Sequence, residues 1–183
     1  MAKQFSIVFI FMIVLGCGQQ PCEWNPIFEN TDFDYLKSNV EQSLQLIIEM
    51  DDAAHDCTSK AYQEKRLRMK EKLLELKDYY IPLTTIRQKI YDAERYCKLN
   101  QITTAESLLK DAKAIITSLD TLTKSEVFDK VIVDLDAMIL TVIMSLDDRS
   151  KERTYQKLKV LGNHINLMLE KGELVLSGLA FEK

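Results

Sequence analysis

Glycine and proline are scarce in this chain, at five and three residues out of 183. Pro21 and Pro26 lie near the start, so Pro82 is the only proline further in. Beyond Ile27 the glycines are Gly162, Gly172 and Gly178. Sustained apolar/polar alternation, the mark of a half-buried strand, is missing as well. Few turn residues and no period-two pattern argue against a sheet. They predict an all-α protein: a single helical bundle or short helical array of about five to six helices.

Histidine is nearly absent, with only His55 and His164. No Glu-x-x-His occurs, which excludes the paired-helix di-metal carboxylate arrangement. A Gly-rich phosphate loop, a Gly-x-Ser-x-Gly elbow and a His-Glu-x-x-His pair are all missing. The sequence therefore predicts no enzyme and calls for no cofactor. Basic residues number 24 against 28 acidic, for a net charge of −4. That balance argues against nucleic acid as a partner, because such binding rests on phosphate neutralisation. No Asn-x-Ser/Thr acceptor occurs either.

What the chain does have is an apolar run near its start, Phe5 to Leu15, broken only by Ser6 and preceded by Lys3. The run is well short of the ~20 residues that span a bilayer. It fits the apolar region of an export signal. It runs into Val14-Leu15-Gly16-Cys17, and this segment resembles the lipobox of bacterial lipoproteins. Leu15 is bulkier than the small residue usual at that place. The resemblance covers this segment alone. It implies cleavage before Cys17 and an acyl-diglyceride on the Cys17 thiol. Gly18, where an Asp would retain the protein at the inner membrane, implies an outer-membrane address. The alternative is an ordinary secretory signal, cut after Gly16 or Gly18. The expected organisation is a signal peptide over 1–16, a lipidated tether over 17–30 and a helical domain over 31–183.

Export would place Cys17, Cys22, Cys57 and Cys97 on the oxidising side of the membrane. With lipid on Cys17, three thiols remain, enough for one disulfide and a leftover. With plain secretion four remain, and two disulfides are possible. Cys57 with Cys97 is the first expectation for a bridge, although connectivity does not follow from sequence. In the tether, Trp24 is the only tryptophan. It is expected to dock on the body, with a headgroup-level position as the alternative.

Apolar residues then recur at three- and four-residue spacing. Thr31 and Asp34 resemble a capping pair before Phe33, Leu36, Val40, Leu44, Ile47 and Ile48. Polar residues from Asp51 to Ser59 predict a break, with an unbroken helix to Tyr80 as the alternative. A second helix, with Tyr62, Met69, Leu73, Leu76 and Tyr80 inward, is expected to stop at Pro82. A third carries Leu83, Ile86, Ile90, Ala93 and Cys97, and Asn100-Gln101 breaks it. A fourth carries Ala105, Leu108, Leu109, Ala112 and Ile116. Thr123 and Glu126 cap a fifth, with Val127, Val131, Leu135, Met138, Ile139, Val142 and Leu146 inward. As the most apolar helix, it is expected to be central. Asp147 to Ser150 make a turn. The sixth, with Tyr155, Leu158, Leu161, Ile165, Met168 and Leu169 inward, is expected to stop at Gly172. The tail from Leu174 to Phe181 would fold back on the body.

Three clusters invite a functional reading. Ala93, Tyr96, Ala105, Leu109 and Ala112 resemble one tetratricopeptide hairpin. Lys89 and Asp92 break the pattern and no second copy follows, so a generic helical hairpin is the preferred reading. Asp52, His55, Asp56 and Cys57 are the only close-set candidate metal ligands, but polar residues there equally suit a turn. As a nucleophile–base pair, His55 and Cys57 would point about 200° apart on a helix. The run Lys65 to Lys72 is basic and is read as a solvated helix face, with anionic lipid or an acidic partner as the alternative. Two functions remain. The first is a non-catalytic helical binding or adaptor module, held to the membrane by lipid on Cys17 and binding an unidentified envelope or surface protein. The second is a secreted, disulfide-bonded helical effector that binds a protein partner.

Overall fold

The computed structural model describes Cys22, Trp24, Phe28 and residues 33–53, 59–119, 128–146 and 151–178. The described residues are all-α. Helix α1 (Phe33–Ser38) leads almost directly into α2 (Val40–Ala53). Between them the Asn39 side-chain amide donates to the Tyr35 carbonyl at 3.0 Å, competing with the helical ladder. Then follow α3 (Lys60–Glu75), a π-helical turn (Leu76–Tyr80), α4 (Ile81–Lys98), α5 (Ile102–Leu119), α6 (Asp129–Leu146) and α7 (Lys151–Gly178).

The break expected after Asp51 is present. Helix α3 starts under Ser59, whose hydroxyl accepts from the Tyr62 amide. Helix α2 lies antiparallel to α3, since Lys77 Nζ meets Glu41 at 2.9 Å while Arg66 Nε meets Asp51 at 2.5 Å. The expected stop at Pro82 is not there. Ahead of the proline the ladder widens, and the Ile81 amide donates to the Leu76 carbonyl five residues back. A proline in a regular helix clashes with the carbonyl four residues earlier and leaves it without a donor. The π turn opens the spiral where that conflict would arise, and the helix continues. Segments of 16, 5 and 18 residues thus form one run, on the order of 55 Å long at ~1.5 Å per residue.

Helices α4 to α7 form an antiparallel four-helix bundle. Lys89 Nζ reaches Asp111 at 3.1 Å across α4 and α5, and Lys113 reaches Asp136 at 2.5 Å across α5 and α6. Thr154 donates to the buried Ser145 carbonyl at 2.8 Å across α6 and α7. The bundle closes where Asn166 donates to the Tyr91 hydroxyl and Lys98 lies over the Tyr155 ring. Its core contains Ile86, Ile90, Leu109, Leu135, Ile139, Leu158, Leu161 and Ile165, all fully buried. Each such aliphatic side chain contributes about 1.5–3 kcal/mol on burial. Ala93, Ala105 and Ala112 are buried too, and their small size lets α4 and α5 approach closely. Between these helices Asn100 takes a left-handed conformation (φ 63°), which Asn tolerates better than most residues. The expectations at Thr31, at Thr123 and Glu126, and for the turn from Asp147 to Ser150 lie outside the described residues.

Three expectations about helix faces need correction. Ile48 is exposed, because the buried stripe of α2 runs through Val40, Leu44, Ile47 and Met50. Helix α6 is not central. Ile132, Leu135, Ile139, Val142 and Leu146 face the core, while Val133, Leu140 and Met144 are exposed. Helix α7 does not stop at Gly172 but runs on to Gly178, and no glycine among the described residues has positive φ. Leu174 is 71% exposed, so this part of the tail does not fold back, although Leu176 is buried.

Gly172 is a site of close approach. A Cβ there would lie 2.8 Å from the Phe128 ring. Phe128 is fully buried and stacks on Tyr79, with ring centres 5.7 Å apart and planes 9° apart, so it has no room to retreat. Gly172→Ala should therefore lower stability by about 1–3 kcal/mol through overpacking, read as a reduced urea midpoint at unchanged slope. Nearby, the Tyr80 hydroxyl donates to Glu173 at 3.1 Å. Burial first, and the Glu173 carboxylate second, push its pKa up to about 12. A raised acid pKa means that the neutral phenol is favoured in the fold. The associated stability is present below about pH 10 and is lost as pH rises through the folded value. The melting temperature should fall between about pH 10 and 12, and less steeply in Tyr80→Phe.

Candidate functional site

The residues singled out from the sequence do not assemble into a chemical centre. Asp52 is exposed in the last turn of α2, and Cys17, His55 and Cys57 lie outside the described residues. Among the described residues no three His, Cys, Asp or Glu side chains gather as metal ligands. His164 is half-buried in α7, and its Nε2 has no hydrogen-bond partner among the described residues.

The cysteines differ from expectation. Cys97 is a free, half-buried thiol, and Cys22 is disulfide-bonded. The expected Cys57–Cys97 bridge is therefore not formed. Its physical obstacle is the helical run across Pro82. Ser59, two residues after Cys57, stands at one end of that run and Cys97 near the other. The separation is far beyond the ~7 Å between Cα atoms that a disulfide tolerates. Burial, and then Glu94, push the Cys97 thiol pKa up.

Trp24 docks on the body. Its ring lies 5.8 Å from that of Phe28 and 6.1 Å from that of Tyr62, with Lys65 Nζ 4.4 Å from its centre. The basic run is therefore more than a solvated face. Lys65 sits on Trp24, Arg66 and Lys70 share Asp51 at 2.5 and 3.4 Å, and Lys72 is buried. Arg66 Nε is a buried nitrogen without a well-angled hydrogen bond. At 2.5 Å from a carboxylate oxygen the charge pairing dominates.

The feature that does stand out is an apolar groove of about 380 Å³ between α6 and α7. Ala137, Met138, Thr141 and Val142 line it from α6, and Gln156, Lys157 and Val160 line it from α7. A row of exposed apolar side chains stands on each side. On α6 they are Val133, Leu140 and Met144, with Val133 63% and Met144 73% exposed. On α7 they are Val160, Leu167 and Leu174, spaced by sevens and so sharing one face. From Ala137 to Leu146 α6 carries no charge at all. Charge depletion with apolar enrichment is what the centre of a protein interface has and ordinary surface lacks. By sequence alone the apolar excess of α6 reads as core. The signal that distinguishes the two was present: Val133, Leu140 and Met144 fall on the arc opposite Leu135, Ile139 and Val142.

A scan of protein-family models, a search of curated proteins and a search of solved structures each found no match to this chain.

The thiols provide a direct check. In the non-reduced protein, alkylation under denaturing conditions should label Cys97 and leave Cys22 unmodified until reductant is added. In the native protein Cys97 should react slowly at neutral pH, since the reactive thiolate is suppressed.

Proposed function

We propose that this chain is a lipid-anchored protein of a bacterial envelope, held to the outer membrane through Cys17, whose helical bundle acts by binding a partner and not by catalysis. The observation that carries the binding part is the α6–α7 groove with its two exposed apolar rows.

The cysteines support the anchor. A free Cys97 leaves Cys17, Cys22 and Cys57 to account for one bridge at Cys22. If Cys17 carries lipid, Cys22 pairs with Cys57 and the single leftover thiol is Cys97, half-buried in the bundle. With Cys97 free, a secreted chain cut after Gly16 could not form two disulfides and would leave a second thiol unpaired in an oxidising compartment. Trp24, two residues after Cys22, packs on Tyr62, five residues after Cys57, which favours the Cys22–Cys57 pairing. A docked Trp24 also shortens the free tether, so the bundle stays close to the lipid surface.

Intact mass of the exported protein tests the anchor. The expected product begins at Cys17 and carries a diacyl or triacyl addition, and the Cys17→Ser variant is not released from its signal and gains no lipid. An unmodified, cleaved amino terminus would overturn the anchor and favour the secreted effector.

A further inference from the structure

We infer that the α6–α7 groove receives one amphipathic helix whose apolar face is bordered by carboxylates. This rests on the binding reading above and specifies the chemistry of the partner.

Shape comes first. Two antiparallel helices with raised apolar rows and a lined groove between them form the seat that a third helix fills in helix-in-groove recognition. The anchors of the guest recur at i, i+3 or i+4, and i+7. The lining from Ala137 to Val142 and from Gln156 to Val160 is about one and a half turns long. The rows extend it from Val133 to Met144 on α6 and from Val160 to Leu174 on α7. A guest of about five turns would cover them. A flat lipid surface would rest on Met144, Val160 and Leu167 without entering the groove between the rows.

Charge comes second. Lys157 lines the groove, and Arg153 stands one turn before it on the same side of α7. Neither has an ion-pair partner among the described residues. Several other bases pair across helices: Lys70 with Asp51, Lys77 with Glu41, Lys89 with Asp111 and Lys113 with Asp136. Arg87, Arg95, Lys159 and Lys171 have no ion-pair partner among the described residues either, but they do not line the groove. Two bases at an apolar groove, without a partner among the described residues, are complementary to carboxylates on a guest. A second copy of this chain does not supply them. Its own face would bring the uncharged stretch from Ala137 to Leu146 against them, together with another Arg153 and Lys157.

The test uses the full chain, held in zwitterionic lipid nanodiscs through its anchor or free in solution if it has none. The probe is a fluorescein-labelled synthetic helix of about 18 residues with Leu at i, i+4, i+7 and i+11 and Glu along both flanks. Its twin has Lys in place of each Glu. Fluorescence anisotropy should show saturable binding of the Glu peptide, weaker by roughly tenfold or more for the Lys peptide. Met144→Glu combined with Val160→Glu should abolish binding. Both positions are exposed, so circular dichroism should show an intact fold. Arg153→Glu with Lys157→Glu should reverse the preference between the peptides. Equal binding of both peptides would overturn the inference, and so would binding unaffected by Met144→Glu with Val160→Glu. It would equally fall if the wild type doubled in mass with concentration through Met144, or bound anionic vesicles through the same face. An unlipidated Cys17 would sink the anchor and leave this inference standing. A groove-dependent partner recovered while the Glu peptide fails would sink this inference and leave the binding reading.

Discussion

The structure depends on one local accommodation: the π-helical turn from Leu76 to Tyr80, ahead of Pro82. A proline there should end a helix, because it removes a donor and crowds the carbonyl four residues back. Widening the spiral lets α3 and α4 continue as a single rod. The α1–α2 segment packs antiparallel along the first half of that rod, and the four-helix bundle is built around the second. The wide turn also presents two tyrosines inward, Tyr79 against Phe128 and Tyr80 against Phe33. Gly172 on α7 then has to be a glycine, since the ring of Phe128 occupies the space where its Cβ would be.

The charges of the chain separate into those used internally and those left over. Asp51, Glu41, Asp111 and Asp136 tie helices together, each with a base from a neighbouring helix. Exposed pairs of this kind are worth only about 0–1 kcal/mol each. Their value lies in register, since each pair fits at one alignment of two antiparallel helices. The α6–α7 face takes no part in this pairing, and there the apolar rows and unmatched bases coincide. A surface that is both apolar and free of internal charge pairing costs solubility unless something covers it. This is the physical reason to propose a binding role for this face and not for the longer basic run on α3.

The rod also reorders the cysteines. From the sequence, Cys57 precedes the second helix and Cys97 ends the third. Continuity through Pro82 places the starts and ends of those two helices far apart along one rod, and Cys97 is left as a thiol among bundle side chains. The single bridge then lies at the amino-terminal end, at Cys22, where Trp24 already holds the chain against α3. On this account the disulfide reinforces the attachment of the tether, and the bundle relies on packing alone.

The sequence by itself determined the helical class, the inward positions of α3, α4 and α5, the reversal between α2 and α3, and the turn at Asn100. These follow from local periodicity and from short-range backbone chemistry, which act within a few residues. Continuity at Pro82, the unbroken course of α7 through Gly172, the state of the cysteines and the exposure of α6 were decided only by tertiary structure. Pro82 and Gly172 are local stop signals that longer-range packing overrode. The π turn accommodates Pro82 without breaking the rod, and Phe128 occupies the room that Gly172 leaves. The groove was legible only in half. Spacing shows that α6 has apolar residues on opposite faces, but it does not show which face meets solvent. That depends on how many neighbours a helix has, and α6 has two, α5 and α7, where a central helix would be surrounded.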